Sequence, residues 1–171
     1  YGNYSVGFER IFTKDYSRNY LSKEDSTFNP RPMQIGIWYP AKAEDKAKGK
    51  ELNFGYYLSL ENSEESLDVK DSDDIGKAKE KYATLIRGIN IETVFNELQT
   101  SKLDVPRLTG SFPLIIYASS QGSSGYENHL ICEQLASNGY IVVTTTSKGA
   151  YSRAMSFNEE GHKNFENIYY A

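Results

Sequence analysis

The sequence predicts an α/β fold, and three observations predict it. Residues 112–149, FPLIIYASSQGSSGYENHLICEQLASNGYIVVTTTSKG, run through an apolar strand, a loop of small residues, an amphipathic helix and a second strand. Leu114, Ile115, Ile116 and Tyr117 are continuously apolar, as in a strand covered on both faces, where a half-solvated strand would alternate. Strand, helix of about three turns and strand form a βαβ unit, which implies parallel strands joined by a right-handed crossover.

The elements follow in chain order. In YSVGFERIFTKD (4–15), Val6, Phe8 and Ile11 alternate loosely with polar residues before DYSRN, which predicts an edge strand and a turn. RPMQIGIWYP (31–40) is a stronger strand: Met33, Ile35 and Ile37 share one face by the period of two, and Pro40 stops the run. From Ala41 to about Asp74 the chain turns charged and irregular, and a solvated excursion is expected. Residues 73–88 carry Ala78, Tyr82, Leu85 and Ile86 at helical spacing behind a capping Asp73 or Asp74, and ETVFNELQTSK (92–102) continues as a second short helix. Pro106 and Gly110 then break the chain. In the βαβ unit, about 112–146, Ile131, Cys132, Leu135 and Ala136 form one helical stripe, which Asn138-Gly139 ends with a left-handed residue. YIVVTTT (140–146) is the closing strand.

A chain of 171 residues with 39% hydrophobic and 25% charged residues fits a single soluble globular domain. Its net charge of −4 gives no electrostatic reason to bind nucleic acid or an anionic membrane, and the 14 tyrosines suit sheets and pocket linings as well as base stacking. No run approaches the roughly 20 apolar residues of a membrane span. Cys132 is the only cysteine, so no internal disulfide and no cysteine-rich metal site can form. His129 and His162 stand too far apart for a local ligand pair, and the acidic run lacks the spacing of a calcium loop, so neither metal nor cofactor is expected. The chain opens at Tyr1, not at Met, which leans toward a trimmed or mature, exported product.

The loop ASSQGSSG (118–125) carries the chemistry. In open parallel sheets, ligands sit outside the carboxyl ends of strands, where loops feed helix amino termini. Small side chains let a substrate approach the backbone, Gly122 and Gly125 permit positive φ, and N–H groups near the helix start favour negative charge. Such a loop can cradle a phosphate or stabilise the oxyanion of an attacked ester or amide carbonyl. A phosphate site is opposed by the absence of any glycine-rich phosphate motif and of any Lys or Arg between Arg107 and Lys148.

GNYSVGFERIFTKDYSR, RPMQIGIWYPA and the 112–153 stretch, in that order, resemble the amino-terminal half of serine α/β-hydrolases, in particular platelet-activating-factor acetylhydrolase and bacterial dienelactone-hydrolase-like proteins. LASNGY after a helix and WYPA after a strand are the most distinctive pieces. The resemblance implies the amino-terminal part of that fold, with a mostly parallel sheet and an antiparallel edge at the amino-terminal end. It also implies an oxyanion-hole N–H from the loop after Tyr117. Counting back from LASNG makes Gln121 the donor, with Ser120, Gly122, Ser123 and Tyr126 around the substrate; relatives often carry His-Gly where Ser119-Ser120 stand here. SKGAYSR (147–153) also leaves the carboxyl end of a strand, so Tyr151 and Arg153 can reach the same rim.

In that fold the triad runs Ser, acid, His, with the serine on a G-x-S-x-G elbow. No G-x-S-x-G occurs, no Asp follows Asp104, and Ser123 and Ser124 of GSSG have the wrong spacing for an elbow. His129 reads as a surface or packing histidine, and His162 precedes any elbow. The expected protein is the amino-terminal portion of a serine esterase or related acyl hydrolase acting on a small-molecule ester, with nucleophile, acid and base on a carboxy-terminal remainder of the same domain. These residues alone are then inactive. The alternatives are a non-catalytic α/β binding or assembly module and a phosphate-binding domain.

Overall fold

The computed structural model describes residues 1–19, 30–42, 49–61, 71–86, 88–120 and 123–145. The elements are β1 (Ser5–Asn19), β2 (Pro30–Ala41), β3 (Lys50–Asn53), α1 (Phe54–Leu60), α2 (Asp71–Leu85), α3 (Ile91–Phe95), β4 (Leu98–Leu103), β5 (Leu114–Ala118), α4 (His129–Ser137) and β6 (Ile141–Thr145). Six strands form one sheet in the order β3-β4-β1-β2-β6-β5. The class is α/β, as the sequence predicts. β5 and β6 run parallel from Leu114↔Ile141 to Ala118↔Thr145, with α4 as the crossover. Antiparallel pairing belongs to the amino-terminal strands: β1 with β2, β2 with β6, and β3 with β4.

Two elements depart from expectation. β1 is interior to the sheet, flanked by β2 and by β4, and is not an edge strand. Its second neighbour, Leu98–Leu103, lies in the stretch expected to continue a helix, which instead ends at Phe95. Strand formation there depends on partners distant in sequence: β3, β1 at Gly7↔Lys102, and the Glu133 carboxylate, which accepts the Thr100 and Ser101 N–H groups at 3.2 Å each. Residues 50–61 fall within the stretch expected to be solvated, yet they bury Leu52, Tyr57 and Leu60 almost completely. The Asn53 side chain caps α1 by accepting the Tyr56 N–H at 2.9 Å.

Tyr39, Ala41 and Val105 form a smaller buried cluster, and the larger core cluster lies on one face of the sheet, under α1 and α4. Gln34, Gly36 and Trp38 point to it from β2, Val6 and Phe8 from β1, and Val142 and Thr144 from β6. The Phe8 and Trp38 rings sit 4.9 Å apart, and the Tyr57 ring meets Phe8 edge-on at 5.1 Å. Gly36 is required by close approach, since a Cβ there would lie 2.7 Å from the Tyr126 ring. Gly139, at φ +92°, ends α4 in the left-handed region.

α4 buries most of the stripe its apolar residues suggest, with Leu135 packed partly buried against the core. Cys132 and Ala136 face inward with His129 and Glu133, while Ile131 is 59% exposed. The opposite face of the sheet is open at β5, where Leu114 is 59% and Ile116 78% exposed. The continuous apolar run of β5 therefore has one covered and one uncovered face among the described residues.

Candidate functional site

β5 delivers the chain to the loop at its carboxyl end, and one carboxylate holds that loop. Glu127 Oε1 accepts the Tyr117 hydroxyl and the Ser120 backbone N–H, both at 2.6 Å. Asn128 Nδ2 donates to the Tyr117 hydroxyl oxygen at 2.7 Å, and the Ser123 N–H donates to the Ser120 carbonyl at 3.0 Å. Burial raises the Glu127 pKa, but the hydrogen bonds from the Ser120 N–H and from the Tyr117, Ser123 and Ser120 side chains outweigh it and lower the value to about 2. Burial, then the hydrogen bond to Glu127, pushes the Tyr117 phenol upward. A carboxylate ionised at any physiological pH thus ties the end of β5 and Ser120 to the start of α4.

Ser124 Oγ accepts the Tyr126 N–H at 3.2 Å. Tyr126 is 3% exposed, and Gln34 Nε2 donates to its hydroxyl oxygen at 2.9 Å and to the Leu60 carbonyl at 2.9 Å. That amide locks Tyr126 against β2 and α1. The Ser119 hydroxyl is buried and has no hydrogen-bond partner among the described residues.

Of the residues read from the sequence as the site, Ser120, Ser123 and Tyr126 come together around this loop. Gln121, Gly122, Tyr151 and Arg153 lie outside the described residues. Sequence reasoning missed Glu127, although S-x-x-E at Ser124–Glu127 is a helix-start signature. In a capping box the carboxylate would turn back to the Ser124 N–H; here it reaches Ser120 instead.

The second carboxylate of this segment is fully buried. Glu133 is 0% exposed and accepts hydrogen bonds from the Ser101 hydroxyl, the Tyr57 hydroxyl at 3.1 Å and the two β4 amides. Trp38 Nε1 donates to the Tyr57 hydroxyl oxygen at 2.7 Å. Burial, then the Glu133 charge, holds the Tyr57 phenol well above its ordinary range. His129 is a packing residue: its ring stacks on Phe54 at 5.0 Å and leans on Tyr57 at 4.8 Å, and burial lowers its pKa. Burial also pushes the Cys132 thiol up to about 12, so it is no nucleophile at neutral pH. Among the described residues no group of three or more His, Cys, Asp or Glu could hold a metal ion, and no helix is long and apolar enough to cross a membrane.

No family model and no curated protein matches the chain. Among solved structures it is similar to a ferulic acid esterase from Streptomyces cinnamoneus, at 15% identity and a TM-score of 0.55. The match covers 86% of this chain and 34% of that one, so the chain spans about a third of the esterase's length. At this identity the likeness shows the fold alone, an α/β fold of the hydrolase type.

Proposed function

We propose that the chain is the amino-terminal portion of a serine-dependent ester hydrolase, supplying its first oxyanion-hole loop while nucleophile, acid and base lie beyond residue 171. One observation carries this reading: the loop leaves the carboxyl end of a parallel strand, feeds α4, and is anchored there by an ionised carboxylate. Within the hydrolase fold the sequence stretches quoted above favour relatives of the platelet-activating-factor acetylhydrolase and dienelactone hydrolase kind. The name of the structural neighbour favours ester chemistry.

In the proposed reaction a serine hydroxyl from the remainder of the domain attacks the ester carbonyl, and a histidine takes its proton. The carbonyl oxygen gains negative charge, and the Gln121 backbone N–H donates to it. Collapse then breaks the bond to the alcohol, which leaves with the proton held by the histidine. A water deprotonated by the same histidine then attacks the acyl-serine, releasing the acid as the proton returns to the serine oxygen. The resemblance makes Gln121, with Gly122 beside it, the donor. The commitment of the Ser120 N–H to Glu127 and of the Ser123 N–H to the Ser120 carbonyl supports that choice. Ser120, Ser123, Tyr126, Tyr151 and Arg153 are the proposed surroundings of the substrate. Leu114 and Ile116, exposed on the open face of β5, are the proposed seat of the carboxy-terminal remainder; burying each such side chain stabilises by about 1.5–3 kcal/mol. Residues 1–171 form one domain with that remainder in this reading.

A non-catalytic α/β binding or assembly module is the second reading, favoured by the commitment of the Ser120 N–H to an internal carboxylate. A fluorophosphonate probe on the full-length protein separates the two. The hydrolase reading expects one covalent adduct, mapped by mass spectrometry to a G-x-S-x-G serine beyond residue 171. Absence of any adduct on a folded full-length protein rejects it in favour of the module.

A further inference from the structure

A cavity of about 190 Å³ opens where α1 and α2 approach the loop that leads into α4. Phe54, Tyr57 and Leu58 of α1, Tyr82 of α2 and Tyr126 of the loop line it together with the carboxylates Glu61 and Glu127. An apolar cavity of about 150 Å³ takes up benzene, so this one has room for a single ring with a short substituent and not for a long chain. Its walls are fixed before any ligand arrives. Tyr57 is held by Trp38 and Glu133, Tyr126 by Gln34, and Tyr82 donates its hydroxyl to Glu61 at 2.9 Å.

Charge narrows the ligand further. Glu61, 7% exposed, is paired with Lys81 at 2.6 Å, which cancels its charge. Glu127, a second lining carboxylate, is held by neutral donors among the described residues, so the cavity disfavours anions. Aromatic walls reward a flat ring through offset and edge contacts that an aliphatic chain of equal size cannot make. Ser123 also lines the cavity, and it belongs to the loop that carries the proposed donor.

We propose that this cavity is a subsite for one neutral aromatic ring, of phenyl or phenol type, carried by the ester. The word "ester" rests on the hydrolase reading; binding of the ring does not. The test is titration of the full-length protein with p-cresol, followed by NMR at Leu58, Tyr82 and Tyr126, with 1-butanol and p-hydroxybenzoate as the aliphatic and anionic counterparts. Saturable shifts at these residues are expected for p-cresol, with binding of the other two weaker by about tenfold or more. Leu58→Trp fills the cavity and should abolish the shifts, and the smaller fill Leu58→Phe should weaken binding about tenfold if Trp prevents folding. No saturable p-cresol shift, undiminished binding in a folded fill variant, or equal binding of 1-butanol or p-hydroxybenzoate overturns the proposal. p-Cresol binding without fluorophosphonate labelling would keep the subsite and remove the hydrolase, and labelling without p-cresol binding would do the reverse.

Discussion

Glu127 and Glu133 stand on either side of the start of α4, and they do opposite things with the same functional group. Glu133 faces the core with both oxygens taken by β4 amides, a serine and a tyrosine, so it joins the helix to the far side of the sheet. Glu127 lies at the carboxyl end of β5 and spends its oxygen on the Tyr117 hydroxyl of β5 and the Ser120 amide of the loop. One carboxylate binds two amides of β4; the other binds the Ser120 amide of the loop that follows β5. The difference is set by which elements lie opposite each turn of the chain: core strand β4 for Glu133, and the loop after β5 for Glu127.

Glu133→Gln should give the largest effect on folding. Each carboxylate oxygen accepts a backbone N–H, so the amide nitrogen of Gln would meet a donor whichever way it turns. The variant is expected to lose about 3 kcal/mol of stability in urea denaturation, in line with unsatisfied buried polar groups.

Glu127→Gln should be milder, about 1 kcal/mol, with its consequence confined to the loop. Amide exchange at Ser120 should rise while exchange at Ser101 stays slow. Glu127 also gives the comparison a pH axis. Its folded pKa of about 2 lies below the ordinary 4.5, so the stability it contributes is complete above about 4.5 and is lost as pH falls from there through 2. Carbon NMR titration of the Glu127 carboxyl should show that midpoint, and the Gln variant should lose the acid dependence of Ser120 exchange.

The smallest effect is expected on the uncovered face. Ile116→Lys in residues 1–171 alone should change stability by no more than about 0.5 kcal/mol, because the side chain is 78% exposed. In the full-length protein the same change should cost about 3 kcal/mol, since it would bury an unpaired charge under the proposed remainder. Chemical denaturation of both polypeptides makes the check.

Much of this was legible in the sequence where the signal is local. The apolar run at Leu114–Tyr117, the helix ending at Gly139 and the β-branched Ile141–Thr145 announce the parallel unit, and their order places the small-residue loop at a strand's carboxyl end. What was not legible depends on distant partners. Leu98–Leu103 has no strong preference of its own and becomes a strand through β1, β3 and Glu133. β1 is interior because β4 joins it, which its own residues do not reveal. The burial of Tyr57 and Leu60 was hidden by charged neighbours along the chain, and Glu133, polar by type, is buried while Ile131 is not because amides and hydroxyls of β4 and α1 donate to it. For the site, the loop was visible and its anchor was not, because S-x-x-E announces a cap and says nothing of a reach to Ser120.

The central claim is that the amide of Gln121 meets the developing oxyanion, and replacing Gln121 by Pro in the full-length protein removes that N–H directly. With native circular dichroism and undiminished p-cresol binding as the fold check, ester turnover should fall by about 10²–10³-fold. Turnover equal to that of the parent protein would contradict the assignment.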